Sequence, residues 1–455
     1  IADGSGNVST EHEYQLIGLV PGMRNYITLK LYNRKDQLSK SIVYAVDIPK
    51  SATQAKTRIS TYDGRSRQEI SNGLYTVFGN GRTTAQKSVK IVTKKVTKNG
   101  KKVTKRVKKT VTKKVRKNVI AMYDNSGVLR SEMPLEANVA KNMQIIYDNI
   151  VYPCSANKFT RINDLGQVTR IYQVNGYKQD GEFAYDGYGN IYFIASALGK
   201  KTSRNSRIMS LELETGKVSL ALDFDNFLSE MYKKSGEKAN WIDINSVQVC
   251  GTNKLIISSK SLSSIFKVSN VGSLLPKLDY IIADKDIWAK CKNLKKKVLK
   301  KYSKDDADES ATADPSATDD TDSIESILNQ GKKKPDPFRS QYGQNALTSN
   351  SSGTLITMLN NNAGKYAKKS NGKSYYYQFK VNESAKNYRV SEKKAFEKTS
   401  NNGNIIKGDS RYIYCCSDKG KFIETDSAGK LIKGFKTGGR PYRVYKNDWK
   451  NFWFY

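Results

Sequence analysis

A unit of strand, short turn and second strand recurs six times along the chain, and this repetition limits the possible folds more than any other feature. Most of the turns carry Asn-Ser-Gly, Asp-Leu-Gly, Glu-Thr-Gly or Ser-Ala-Gly, which supply the positive φ angles that short β loops need. The fifth copy has no glycine in its turn and is the weakest match. The copies occupy residues 120–133, 159–174, 208–224, 265–282, 377–396 and 422–437.

Another apolar strand, rich in β-branched and aromatic residues, precedes each copy, as expected of strands buried on both faces. Three or four strands per unit, repeated six times, are typical of β-propeller blades. We therefore predict an all-β chain with a six-bladed propeller over about residues 60–455; a β-sandwich with coincidental turns is the alternative. The additional strands lie at residues 72–79, 148–155, 189–196, 253–259, 353–359 and 410–416.

The wide gap before the fifth copy predicts an insertion over residues 290–340. Residues 305–325 carry nine acids and no base, and they lie between the basic segments 294–304 and 332–339. Such a composition cannot bury enough apolar surface to order a chain. We expect a charged, partly disordered insertion, either a solvated loop or a binding loop.

A second insertion, residues 87–117, carries 15 Lys and Arg and no acid. Its valines and threonines favour strands, and Asn99-Gly100 is a strong hairpin signal, which would place Val96 opposite Val103. This basic β-hairpin either binds an anionic polymer by counterion release or is a solvated extension whose lysines prevent edge pairing. The candidate polyanion-binding residues are Lys94, Lys95, Lys98, Lys101, Lys102, Lys105, Arg106, Lys108 and Lys109.

Residues 1–55 have the pattern of part of a β-sandwich. Leu19-x-Pro21 followed by Tyr26 is similar to the tyrosine corner of fibronectin-like domains. A segment this short cannot bury a sandwich core by itself, so either further strands precede it or it packs on the propeller. Because the chain begins with Ile1 rather than Met, we expect a mature or truncated product whose leader or anchor is missing.

The net charge of +35 suggests nucleic-acid binding, but the chain has no base-reading motif, and the basic hairpin lacks the interleaved aromatics of single-strand binders. There is one histidine, His12, and no Cys-x-x-Cys pair, so we expect no metal site and no cofactor. No stretch of 18 apolar residues exists that could span a membrane. The odd number of cysteines leaves at least one thiol free or paired between chains, and the sequence leaves open the pairing of Cys154, Cys250, Cys291, Cys415 and Cys416.

Several blocks, taken in order, resemble the bacterial arylsulfotransferases (aryl-sulfate sulfotransferases) across nearly the whole chain. The resemblance implies a six-bladed propeller, in agreement with the repeat count. It also implies a channel histidine that takes a sulfuryl group from a phenolic sulfate and passes it to a phenol, while further histidines and an arginine hold the sulfate oxygens. The blocks are "LIGLVPGMRNYITLKLYN" (16–33), "DGEFAYDGYGNIYFIA" (180–195), "NWIDINSVQ" (240–248), "NKLIISSKSLSSIFKV" (253–268), "YGQNALTSNSSGTLITMLNNN" (342–362) and "RPYRVYK" (440–446).

The positions that match the family's functional residues hold different side chains. The nucleophilic histidine falls on Asn345, a second histidine on Asp243, a histidine pair around Gly181 and Glu182, and the arginine on Lys260. An amide is not a useful nucleophile, and two carboxylates would repel a sulfate. The candidate central-channel residues are Asn345, Asp243, Asn245, Lys260, Glu182 and Arg443.

We therefore predict a non-catalytic arylsulfotransferase-like propeller, a secreted or cell-surface bacterial protein that binds an anionic cell-envelope polymer or another protein. The alternative is a related enzyme with altered chemistry, in which Asp243 and Glu182 act as an acid–base pair beside Lys260. A nucleic-acid-binding protein is a third possibility, which the missing leader makes a poorer fit.

Overall fold

The structure is a computed structural model of the 455-residue chain. The residues it describes form six mainly antiparallel sheets arranged in a ring and two separate two-stranded sheets. This confirms the predicted six-bladed β-propeller. The strands are numbered β1–β30 along the chain, and the order of strands in each blade runs from the innermost strand outward. The described residues are 16, 18–51, 53, 55–79, 83–98, 101–116, 118–136, 140–199, 202–302, 340–367 and 372–452.

The first three blades each have four strands. Blade 1 consists of β30 (Arg443–Asn447), β4 (Leu74–Phe78), β7 (Val119–Tyr123) and β8 (Leu129–Pro134). Blade 2 consists of β9 (Gln144–Ile146), β10 (Asn149–Ser155), β11 (Lys158–Ile162) and β12 (Val168–Gln173). Blade 3 consists of β13 (Tyr177–Tyr185), β14 (Asn190–Ala197), β15 (Arg207–Glu212) and β16 (Val218–Asp223).

Blade 4 also has four strands, whereas blades 5 and 6 each have a fifth strand at the outer edge. Blade 4 consists of β17 (Ile244–Val249), β18 (Leu255–Ser259), β19 (Ser264–Ser269) and β20 (Lys277–Ile282). Blade 5 consists of β22 (Asn345–Ser349), β23 (Leu355–Asn360), β24 (Lys373–Asn382), β25 (Asn387–Glu397) and β21 (Lys300–Lys301). Blade 6 consists of β26 (Ile405–Lys407), β27 (Arg411–Cys416), β28 (Lys421–Asp426), β29 (Leu431–Lys436) and β3 (Ser60–Asp63). The short helices are α1 (Phe224–Phe227), α2 (Ser229–Lys234) and α3 (Lys285–Trp288), with 3-10 turns at Lys295–Lys297 and Ser417–Lys419.

The hydrophobic core is a ring of clusters, each lying between two adjacent blades. Among the described residues there are six such clusters, and each draws its main members from two neighbouring sheets. Between blades 6 and 1, Phe422 and Phe435 stack with ring centroids 4.6 Å apart and Tyr75 packs against both. Strands buried on both faces form these clusters, which explains their nearly continuous apolar sequences.

The turns between the third and fourth strands explain the glycines of the repeat. In blade 1, Gly127 has a φ of +75°, and its amide donates to the Asp124 carbonyl at 2.9 Å. In blade 5, where the repeat lacks glycine, Lys386 has a φ of +51° and donates to the Glu383 carbonyl at 3.2 Å. A residue with a side chain costs roughly 1–2 kcal/mol more than glycine in this left-handed region. The fifth copy therefore has the same turn geometry but a less stable turn.

The two ends of the propeller sequence close the ring. The strand β3 pairs with β29 at the outer edge of blade 6, and β30 pairs with β4 as the innermost strand of blade 1. A buried carboxylate, Glu424, joins these two blades. It accepts hydrogen bonds from the Tyr75 hydroxyl at 2.5 Å, from the Arg411 guanidinium at 2.7 Å and from the Lys446 ammonium at 3.0 Å.

This closure predicts a loss of stability in acid. Burial alone would raise the pKa of Glu424, but the hydrogen bond from Tyr75 and the charge of Lys446, with smaller contributions from Ser71 and Arg411, lower it to about 2. A carboxylate with a lowered pKa contributes stability above its ordinary pKa of 4.5, and this contribution is lost as the pH falls toward 2. The difference corresponds to on the order of 3 kcal/mol.

Urea unfolding of the wild type and of Glu424→Gln at a series of pH values measures this contribution. We expect the wild type to lose free energy of unfolding between about pH 4.5 and 2 and the variant to lack that component, since glutamine does not titrate. Parallel pH profiles for the two proteins would contradict the assigned role of Glu424.

The N-terminal segment forms one antiparallel pair, β1 (Arg24–Tyr32) with β2 (Leu38–Asp47). In the described part of the chain no further strand joins this sheet. Tyr26 is 71% exposed, so it does not pack as a tyrosine corner would. The fibronectin-like interpretation is therefore not supported, and most of residues 1–17 lie outside the described range.

The basic insertion forms a long two-stranded antiparallel ribbon, β5 (Thr83–Lys98) and β6 (Lys101–Arg116), between β4 and β7. Its register places Val96 opposite Val103 and Val92 opposite Val107, as the sequence predicts. The turn residues 99–100 lie outside the described range. So do residues 303–339, which hold most of the predicted charged insertion.

The five cysteine thiols are all free. Among the described residues, no helix is long and apolar enough to cross a membrane.

Candidate functional site

The predicted channel residues lie on or beside the innermost strands. Glu182 is on β13, Asn245 on β17, Asn345 on β22 and Arg443 on β30, so four blades contribute. Asn345 and Arg443 are the first residues of their strands, and Asn245 is the second of its strand. In an antiparallel blade, the start of the first strand and the loop between the second and third strands lie at one end. The candidates therefore gather at that end of the propeller.

Arg443 is the centre of a fully buried polar cluster that also contains Glu182, Asn245 and Asn345. Its Nη1 donates to the Glu182 carboxylate, forming an ion pair in which both side chains are at most 2% exposed. Its Nη2 donates to the Asn245 carbonyl at 3.1 Å and to Asn345 Oδ1 at 3.2 Å. One guanidinium thus connects blades 1, 3, 4 and 5.

The protonation of this ion pair follows from its burial. Burial raises the pKa of Glu182 to about 7, although the charges of Arg443 and Lys141 lower it. Burial lowers the pKa of Arg443, but the Glu182 carboxylate more than offsets this, and the net shift is upward. The guanidinium therefore stays charged, and the carboxyl titrates near neutrality.

Asn345 is 1% exposed and uses both ends of its amide. Its Nδ2 donates to the Gly403 carbonyl at 2.9 Å. Its Oδ1 accepts from Arg443, from the Ala346 amide at 3.0 Å and from Asn245 Nδ2 at 3.3 Å. The side chain is a connector between the innermost strands of adjacent blades.

Three polar atoms in and beside this cluster have no hydrogen-bond partner among the described residues: Arg443 Nε, Asn245 Oδ1 and Gln344 Oε1. A buried polar group without a partner costs about 1–3 kcal/mol. The centre of the propeller therefore has one hydrogen-bond donor and two hydrogen-bond acceptors that bond to no described residue.

Asp243 and Lys260, the other two predicted residues, lie outside the buried cluster and are partly exposed. Asp243 directly precedes β17 and has a φ of +43°; its Oδ1 accepts from Asn205 Nδ2 at 3.0 Å. Lys260 follows β18 and donates to Asn401 Oδ1 at 3.2 Å. Burial lowers the pKa of Lys260, and the Asp243 carboxylate opposes that shift.

A second ion pair, absent from the sequence prediction, lies next to the cluster. Lys141, just before β9, donates to the Asp180 carboxylate on β13, and both side chains are nearly buried. The Asp180 carboxylate raises the pKa of Lys141 against the lowering effect of burial. Asn205 joins this pair to Asp243, because its Nδ2 also donates to Asp180 Oδ1 at 3.0 Å.

In the described part of the site, the buried charged groups pair with one another. Each of the two buried cations in the described site is paired with a carboxylate, Arg443 with Glu182 and Lys141 with Asp180. The described residues contain no cluster of three His, Cys, Asp or Glu side chains that could hold a metal ion. The cluster can stabilise the contacts between the blades, and its atoms without partners can accept or donate hydrogen bonds.

Comparison with known proteins places the propeller in a family. A family model described as Arylsulfotransferase (ASST) matches residues 61–433. No curated protein matches the chain.

Among solved structures, a functionally unknown protein from Desulfotomaculum acetoxidans is 8% identical over 72% of this chain and 95% of that one, with a TM-score of 0.41. The Pan2 WD40 domain of Neurospora crassa is 6% identical over 73% and 76%, with a TM-score of 0.36. A periplasmic gluconolactonase from Pseudomonas aeruginosa is 8% identical over 72% and 94%, with a TM-score of 0.36. These likenesses are too remote to carry an argument about function.

Proposed function

The chain belongs to the arylsulfotransferase family, and from this premise we propose that it is a non-catalytic member that keeps the propeller and has lost sulfuryl transfer. The observation that carries the proposal is that Asn345 is a buried amide side chain where the family resemblance implies a nucleophilic histidine. Histidine can become a sulfuryl carrier because its pKa lies near neutrality, whereas a neutral amide has neither nucleophilicity nor a useful pKa. The Asn345 amide is also buried and hydrogen-bonded through both its nitrogen and its oxygen.

No other residue supplies the missing histidine. The chain has one histidine, His12, and it lies outside the matched residues 61–433. No alternative alignment of the family's motifs can place a histidine in the propeller, because residues 61–433 contain none.

The charges of the site also oppose an aryl-sulfate donor. A sulfate needs unpaired cations or neutral donors, and removal of one such donor costs about a hundred- to a thousandfold in rate. In this cluster Arg443 is already paired with Glu182, and Asp243, which directly precedes β17, adds a second carboxylate. A donor would have to displace a buried ion pair before it could use the guanidinium.

An enzyme with altered chemistry at Asp243, Glu182 and Lys260 is the second candidate, and it has less support. Glu182 is committed to Arg443 inside the cluster, while Asp243 and Lys260 bond to Asn205 and Asn401 outside it. An acid–base pair needs both groups within hydrogen-bond reach of one bound substrate. The raised pKa of Glu182 is the one feature that favours this candidate.

The second half of the proposal concerns the ribbon. We propose that the protein acts outside the cell or at the cell surface, where the ribbon binds an anionic polymer of the envelope. The support is electrostatic: residues 87–117 hold 15 of the chain's 78 Lys and Arg and no acid. Lysine-rich segments bind polyanions by releasing condensed counterions, which requires no enclosed pocket.

Replacing residues 83–116 by Asn-Gly tests this proposal. Thr83 pairs with Arg116, so a two-residue turn can close the gap between β4 and β7 without disturbing blade 1. We expect the melting temperature to change by no more than about 2 °C, because the ribbon buries little apolar surface. We expect affinity for an anionic polymer to fall at least about tenfold, with a weaker dependence on salt.

A control for exposed lysines elsewhere on the protein replaces Lys217, Lys254 and Lys277, which lie on other blades, with Ser. Unchanged polymer binding by the shortened protein would refute the assignment of binding to the ribbon. Unfolding of the shortened protein would show that the ribbon belongs to the folded core.

A further inference from the structure

The register of the ribbon sorts its basic residues onto two different faces. Side chains of a strand alternate between faces, and directly opposed residues share one. One face, which we call the paired-lysine face, carries three rows of opposed lysines: Lys90 with Lys109, Lys94 with Lys105 and Lys98 with Lys101. On the other face each base opposes a neutral residue, as in Ile91 with Lys108, Thr93 with Arg106, Lys95 with Thr104 and Thr97 with Lys102.

Opposed lysines repel one another, and the ribbon contains nothing that offsets this. Like charges directly opposite in a sheet are destabilising. Lys90 and Lys109 are both exposed, and residues 87–117 contain no acid. An oxyanion lying between two ammonium groups accepts hydrogen bonds from both and removes their repulsion. Each row is therefore a stronger anion site than a single lysine.

The rows lie in single file along the ribbon. Valine pairs separate them, Val92 with Val107 and Val96 with Val103, so successive rows are four residues, or about 13–14 Å, apart. Two-stranded ribbons are also strongly twisted, so a long face turns about its axis. A flexible linear chain can follow that face, whereas a flat membrane cannot reach all the rows together.

We infer that the paired-lysine face is the binding surface and that its ligand is a flexible linear polymer bearing phosphate or sulfate esters, with one ester group bridging each row. This inference rests on the proposed polyanion binding and adds the face, the geometry and the chemical class.

Two variants of the full chain, matched in charge, test the inference. The first replaces Lys90, Lys94, Lys105 and Lys109 with Thr and removes two opposed rows. The second replaces Lys95, Lys102, Arg106 and Lys108 with Thr on the other face. Threonine favours strands, so both variants keep the ribbon. A milder variant, Lys94→Thr with Lys105→Thr, removes a single row.

Binding of inorganic polyphosphate and of dextran sulfate is measured by calorimetry at several salt concentrations. In about 0.15 M salt the first variant is expected to lose at least about ten times more affinity than the second, and the single-row variant an intermediate amount. The polymer that binds the wild type more tightly identifies the preferred anionic group, phosphate or sulfate.

Equal losses in the two charge-matched variants would overturn the inference and leave the proposed polyanion binding intact. Tighter binding of vesicles of anionic phospholipid than of either polymer would overturn the linear-polymer assignment. Failure of the wild type to bind any polyanion would overturn the proposed function as well.

Discussion

Replacing Arg443 with Met is expected to lower the free energy of unfolding by about 3–5 kcal/mol. The substitution keeps most of the apolar side-chain length but removes the guanidinium that connects four blades. It leaves Glu182 buried without its partner and withdraws a donor from Asn345 and from the Asn245 carbonyl. Breaking one side of a buried ion pair is costly because the remaining carboxyl must either stay charged without solvent or a counterion or be held neutral by taking up a proton.

The loss should also grow as the pH rises above about 7. In the wild type, burial holds the pKa of Glu182 near 7, against an ordinary value of 4.5. Without Arg443 this pKa rises further, so the folded variant must keep the carboxyl protonated while the unfolded chain releases the proton. Stability falls with rising pH wherever the folded state binds more protons.

Urea unfolding at pH 5 and pH 8 measures both effects. The matched control is Arg389→Met, an exposed arginine on β25, which should change stability by no more than about 0.5 kcal/mol. A loss below about 1 kcal/mol for the Arg443 variant, or one that shrinks with pH, would contradict the central role given to this residue.

The sequence predicted most of each blade but not its innermost strand. The six repeat copies correspond to the third and fourth strands, from β7–β8 to β28–β29, and the additional apolar segments to the second strands. The innermost strands are short or carry register shifts, for example between Gln179 and Phe183 in β13 and between Asn345 and Thr348 in β22. Such irregularities break the alternation on which strand recognition depends.

The candidate site was predicted only in part for a related reason. Resemblance to the family pointed to Glu182, Asn245, Asn345 and Arg443, which the structure brings together in one cluster. The Lys141–Asp180 pair had no such signal. Lys141 precedes β9 of blade 2 in a segment without periodicity, and its partner Asp180 lies on the adjacent blade 3. Contacts between separate blades depend on how the ring closes, and the local sequence does not encode them.

The protein is expected to transfer no sulfuryl group from an aryl sulfate to a phenol at a measurable rate. The covalent route requires a side chain that can accept the group and release it, and Asn345 can do neither. Loss of the nucleophile, together with the pairing of Arg443 and the added carboxylates, removes several orders of magnitude of rate at about 1.4 kcal/mol per factor of ten. The burial of Asn345 further denies a donor access to this position.

Release of a chromogenic phenol from its sulfate, with a phenolic acceptor present, tests the central claim directly. The wild type is compared with Asn345→His combined with Asp243→His, and with Arg389→Met as a control for mutation itself. We predict no release above the uncatalysed background for the wild type and for the control; release by the double variant alone would show that the scaffold persists and that these two positions carry the loss. Wild-type turnover near about one per second, an ordinary enzymatic rate, would contradict the non-catalytic assignment.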